Sequence, residues 1–250
     1  MTEQQPSNAP AIDDDARTVI GELDDRAASP APMHARPTLD SEERLIKDAI
    51  LRMGSLVEDA IRGAAQALVA HDVELATRII KADPIINEVQ RSMTRLIAVT
   101  IATQQPVARD LRQLLTLDHV GYELERMGDH ASSVAKQVLK LAGEAPLEGY
   151  VHLPAMADRD AEFVHAVLRA LVDLDEAGAR AAARLDDEID RLYHATFDRA
   201  VELMRQDPAN VDQGARIILA SHYLERIGDR ATNIAEDIVF LHTGEVEDLN

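Results

Sequence analysis

Leu124-Glu125-Arg126-Met127-Gly128-Asp129 returns 100 residues later as Leu224-Glu225-Arg226-Ile227-Gly228-Asp229. Each copy sits in a run of apolar or small residues whose spacing alternates three and four. The first run is Leu117, Val120, Leu124, Met127, Ala131, Val134, Val138 and Leu141. The second is Ile217, Ala220, Leu224, Ile227, Ala231, Ile234, Ile238 and Leu241. Such a spacing is the buried seam of a helix in an antiparallel bundle or coiled coil. Generic periodicity does not require identity at Ala131 and Ala231 or at Ala135 and Ala235 as well. Internal duplication does. A second, weaker correspondence pairs Lys81, Asp83 and Asn87 with Arg184, Asp186 and Asp190.

Working outward, the chain divides into two all-α units of three helices. Residues 1–37, rich in proline and carrying Asp13–Asp15, read as a disordered acidic arm with at most a short helix around Ala16–Leu23. The first repeat spans 38–142. Asp40 with Glu43 forms a capping box that opens its first helix, and Asp72 caps the second. Pro84 is expected to kink or split that second helix, and Pro106 to open the third. Gly143, Pro146 and Gly149 mark a linker over 143–153. Pro154 opens the second repeat, 154–243, whose middle helix should break near Leu185–Asp187. An acidic tail covers 244–250.

Composition excludes several classes of function. A formal charge of -19 argues against nucleic acid and against a basic membrane-surface helix. The absence of cysteine removes disulfides, thiolate metal sites and cysteine nucleophiles. Any metal must therefore be held by oxygen or imidazole. No apolar run approaches the roughly 20 residues that span a bilayer, and the N-terminus is unlike a signal peptide, so direct membrane insertion is not expected and a cytoplasmic location is.

Glu125 and Asp129 lie four apart on the helix side away from the seam, and Glu225 and Asp229 repeat the arrangement. Stacked like charges destabilise a helix by a few tenths of a kcal/mol unless neutralised, and a bound cation is one solution. Arg126 is expected to be poorly placed to serve, because adjacent residues diverge on a helix. Asn233 and Asp237 extend the second stripe, whereas Ser133 and Gln137 occupy the first, so the second copy is the fuller oxygen ligand set. Facing acids, Asp83 in one half and Asp186 and Asp190 in the other, could complete such sites. Glu162 with His165 is the single Glu-x-x-His match, and a ferritin-like di-iron centre needs two. A carboxylate-ligated helical metalloenzyme and a metal-free scaffold with solvated acids are the alternatives. No nucleophile or acid–base pair is nominated, which disfavours an enzyme.

The segment Gln104-Gln105-Pro106-Val107-Ala108-Arg109, the two hexapeptides, and Thr243-Gly244-Glu245 together resemble the PhoU family of phosphate-specific transport accessory proteins. The resemblance covers roughly residues 40–245. It implies two tandem three-helix bundles related by a pseudo-twofold, and a dimeric cytoplasmic negative regulator of phosphate uptake. The partners it implies are subunits of the phosphate ABC transporter and a phosphate-sensing histidine kinase. It further implies metal, with Fe, Mn or Mg as candidates, on the duplicated motifs: Glu125, Asp129, Glu225 and Asp229. Asn87 and Ser133 depart from the acid and the Asn that the family favours.

Overall fold

The computed structural model describes residues 14–29, 36–145 and 147–249. Its α-helices are α1 (Asp14–Ala28), α2 (Arg36–Ala70), α3 (Val73–Gln104), α4 (Arg109–Lys140), α5 (Leu153–Asp173), α6 (Glu176–Ala183), α7 (Asp186–Gln206) and α8 (Val211–Thr243). Short 3-10 turns precede α5 and α8, and no strand occurs among the described residues. The first bundle is α2, α3 and α4, and the second is α5, the broken pair α6 and α7, and α8. Each outer helix packs on its own copy, α4 on α8 and α2 on α5, so the halves share one apolar core. Helix-to-own-copy packing is the signature of a pseudo-twofold.

The seams lie where their spacing puts them. All eight positions from Leu117 to Leu141 are buried, as are Ile217 to Ile238, with Leu241 partly covered. The first inter-helix turns are superimposable in chemistry. His71 and Leu174, set 103 residues apart, both take φ of 52°. The following N–H groups, of Asp72 and Asp175, donate to Ala67 and Ala170 carbonyls at 2.9 Å each, closing Schellman-type ends. Asp72 and Asp175 then cap the next helices by accepting from Leu75 N (2.9 Å) and Gly178 N (3.0 Å). The duplication therefore begins well before the acidic motifs.

Several expectations need correction. Residues 14–28 are not a disordered arm but a helix packed on α3, burying Ala16, Leu23 and Ala27; Asp24 pairs with Arg95 at 2.6 Å. Ala16, Ile20, Leu23 and Ala27 recur at helical spacing, which the proline-rich flanks obscured. Residues 1–13 and 30–35 lie outside the described residues. Helix α2 starts at Arg36, so Asp40 is inside it rather than capping it; Leu39, buried in the core, draws the extra turn into the helix. Helix α3 runs unbroken through Pro84, while the break falls at Arg184–Leu185 in the copy that lacks the proline. One lost hydrogen bond is outweighed by the buried row Ile79, Ile86, Val89, Met93 and Leu96. Pro106 lies ahead of α4, which starts at Arg109, because Gln105 and Ala108 both turn at positive φ.

Between the bundles lies a polar lock. Glu123 is 2% exposed, with Arg230 and Asn233 each at 3.3 Å. His119 bridges Glu123 (3.3 Å) and Asp237 (2.6 Å). Hydrogen bonds to Asp237 and Glu123 raise the imidazole pKa to about 10, so the bridge is cationic at neutral pH. The pseudo-symmetric place holds Tyr223 stacked on His130, centroids 5.9 Å apart. His130 is driven down to about 4 by burial and by Arg230 and Arg226, and stays neutral. The two halves are locked by charge on one side of the axis and by stacking on the other.

Asp72→Ala and Asp175→Ala should each lower stability by about 1 kcal/mol, the usual worth of a helix cap. Leu224→Ala should cost ~2–5 kcal/mol by leaving a core cavity. Denaturant midpoints measured at constant slope check both expectations.

Candidate functional site

Each bundle brings its middle helix against its last at a glycine. A Cβ on Gly228 would lie 2.6 Å from Asp186 Oδ1 and 3.2 Å from Ile189 Cδ1. A Cβ on Gly128 would lie 2.9 Å from Ile86 Cδ1 and 3.7 Å from Asp83 Oδ1. Close approach is thus the reason for a mid-helix glycine that costs about 1 kcal/mol against alanine. It sets Asp83 beside the Glu125–Asp129 motif, and Asp186 and Asp190 beside Glu225–Asp229.

In the second repeat the acids crowd. Burial, then Asp190, Asp229 and Glu225, push the Asp186 carboxyl up to about 7. Burial and Asp229 raise both Asp190 and Glu225 above the ordinary carboxylate range. A fifth acid joins them that sequence reasoning missed. Asp160 on α5 is wholly buried, neither carboxyl oxygen has a hydrogen-bond partner, and burial with Asp186 and Glu225 raises its pKa well above normal. The signal was present: Asp160 occupies a seam position in the series Leu153, Met156, Asp160, Val164, Val167, Leu171. In the first repeat burial and Asp129 raise Asp83 and Glu125, and Asn87 Oδ1 is buried without a partner.

The motifs are less outward than their position opposite the seam implies. The side chains of Glu125 and Glu225 are 17% and 22% exposed, turned toward the neighbouring helices, while Asp129 and Asp229 are half-buried. Arg126 is not out of reach: it folds along its own helix to lie 3.3 Å from Glu125 and 3.2 Å from Asp129. Arg226 reaches Asp229 at 3.3 Å, and His222 Nδ1 lies 3.1 Å from Glu225 Oε2. The extended ladder does not form. A four-residue step overshoots a helical turn by about 40°, so Asn233 and Asp237 have wound round to the α4 interface and bond Glu123 and His119 instead. Ser133 and Gln137 donate to carbonyls of their own helix. The ferritin-like pair is not assembled either: Glu162 pairs with Arg159, and His165 lies 3.4 Å from Glu58 on α2.

As the side chains lie, no group of three His, Asp or Glu among the described residues is gathered tightly enough to hold a metal ion. The donor chemistry nevertheless suits a hard cation. The sites are all oxygen, mutually repelling, and include buried carboxyl oxygens without hydrogen bonds on Asp83 and Asp160. Loading would require Glu225 and Asp229 to leave His222 and Arg226.

Comparison with known proteins decides the family. The PhoU domain model matches twice, at residues 50–138 and 153–238. The chain belongs to the PhoU family. A Clostridium acetobutylicum relative, named a phosphate-specific transport system accessory protein PhoU homolog, is 35% identical over 86% of this chain and 99% of its own. A homolog of the same name from Rhizobium meliloti is 33% identical over 84% and 90%. The crystal structure of PhoU from Pseudomonas aeruginosa matches with a TM-score of 0.78 at 34% identity, over 82% of this chain and 99% of that one. The phosphate transport system regulatory protein PhoU from Streptococcus pneumoniae matches with the same TM-score at 30% identity, over 84% and 99%. The PhoU model starts at residue 50, so α1 lies outside it.

Asp186 gives a pH signature. Its folded pKa of about 7 exceeds the usual unfolded value of about 3.9, so the native state binds the extra proton between these limits and loses stability as pH rises through them. Asp186→Asn should therefore gain stability relative to the metal-stripped parent as pH goes from about 4 to 7, with no relative gain below about 4. Thermal melts of both proteins across that range check it.

Proposed function

We propose that this chain is a regulatory accessory protein of phosphate uptake that holds metal on its duplicated acidic motifs. The observation that carries the reading is the doubled PhoU fold, in which each glycine contact packs acids from two helices together. Glu225 and Asp229, with Asp186 and Asp190, would hold a hard cation in the second repeat. Glu125 and Asp129, with Asp83, are the smaller set in the first. Iron, manganese or magnesium suits such donors, and when bound the ion would neutralise the crowded charge and tie the last two helices together.

On this reading the protein acts in the cytoplasm as a homodimer and as an adaptor without catalysis. It couples subunits of a phosphate ABC transporter to a phosphate-sensing histidine kinase and keeps uptake and starvation signalling low when phosphate is plentiful. The names of the relatives support the phosphate system, and the acidic surface suits basic patches on such partners. No helix among the described residues is long and apolar enough to cross a membrane, which fits a protein that docks on a transporter. No nucleic-acid role is proposed, given the net charge of -19.

Deleting the gene should derepress phosphate-starvation genes in phosphate-rich medium, read by transcript levels. Affinity capture of the protein should bring down transporter or kinase subunits. Unchanged expression on deletion contradicts the regulatory reading.

A further inference from the structure

The structure assigns Asp160 the role of an inward cation ligand in the second repeat, one that joins Asp186 and Glu225 in a three-helix oxygen site. The inference rests on the metal-binding reading above and deepens it by naming the donor that makes the two repeats unequal. Asp160 stands on α5, Asp186 on α7 and Glu225 on α8, so three helices of the second bundle supply one carboxylate each.

Three observations carry it. Asp160 is 0% exposed, in a helical row otherwise filled by Met156, Val164 and Val167. Neither of its oxygens has a hydrogen-bond partner, and no basic side chain among the described residues pairs with it. Arg159, next to it on α5, reaches Glu188 on α7 at 3.0 Å, and Met156 one turn earlier meets Thr196 further along α7, so Asp160 lies level with the first turns of α7, where Asp186 stands. Asp186 and Glu225 are the charged groups that act on its carboxyl. A carboxyl in an apolar row with nothing to bond is unfavourable relative to water, and packing gives no reason for it, since an apolar residue would fill the row. At the corresponding position in the first repeat, 103 residues earlier as His71 is to Leu174, α2 carries the buried Val57. The cavity of about 210 Å³ beside Asp83 and Gly128 is lined from α2 by Leu56, Asp59 and Ala60.

The site would take a hard divalent cation such as Mn²⁺ or Mg²⁺, with water filling the remaining positions. Glu225 must turn from His222, now 3.1 Å away, toward α5.

The test uses full-length protein stripped with chelator and titrated with Mn²⁺ alone, following affinity by calorimetry and occupancy by electron paramagnetic resonance. Asp160→Asn should weaken the tight site at least about tenfold, by the scale of losses on removing groups that support a metal. It should also abolish most of the Mn²⁺-induced rise in melting temperature, while the stripped variant melts no lower than stripped parent. If Asp160→Asn does not fold, Asp160→Val supplies the same comparison with the seam restored. Unchanged affinity and stoichiometry in the variant overturn the assignment. Should binding survive there but vanish in Asp229→Asn, Asp160 alone is excluded and the metal reading stands. If the parent takes up no Mn²⁺, both fail.

Discussion

Helices α4 and α8 each bury an unbroken three-four seam and pack on one another, and this constraint organises the rest of the molecule. A helix buried along one stripe and joined to its copy along another has a single flank left for its middle-helix neighbour. In both repeats that flank carries a glycine, and the glycine lets the neighbour's acids come within contact of the motif. The acidic sites follow from close helix packing; they are not decoration on an independent scaffold.

Electrostatics gives this arrangement a cost. Five carboxyls gather in the second repeat, where burial and mutual repulsion push Asp186 to about 7 and raise Asp160 well above the ordinary carboxylate range. Among the described residues, His222 and Arg226 are the basic groups that lie against the motif acids there, and both sit on the motif's own helix, one turn from their partners. They do not reach Asp160. Elsewhere the protein satisfies a buried acid fully, as at Glu123, where His119, Arg230 and Asn233 surround the carboxylate. On the proposed reading, the contrast between one closed network and one open cluster makes the open one the place for an exogenous cation.

The helical class, the duplication, the seams and the break near Leu185 were legible because each rests on local periodicity or on identity between copies. So were Asp72 as a cap and the pairing of Asp186 with the Glu225 motif. What escaped depended on tertiary packing. Pro84 passes through α3 because burial on neighbouring helices outweighs its missing donor. Helix α1 is short and only moderately apolar, and it exists by docking on α3. Asn233 and Asp237 seemed to extend the ligand stripe only while helical drift was ignored; about 40° per step carries them to another interface. Arg126 was set aside on backbone direction, yet a long side chain can curl back. Asp160 was visible as an acid in an apolar row and was overlooked because it belongs to neither repeated motif.

Membership of the PhoU family accounts for the doubled bundle and connects the chain with phosphate transport through its relatives. The account's own claim is that the crowded acids between middle and last helices exist to hold a cation, more completely in the second repeat than in the first. Anomalous scattering from crystals grown with Mn²⁺ addresses it most directly. The account predicts a peak between α7 and α8, within reach of Asp186, Glu225 and Asp229, stronger than any between α3 and α4. Crystals with no peak at either flank, or with peaks only elsewhere on the acidic surface, would contradict it.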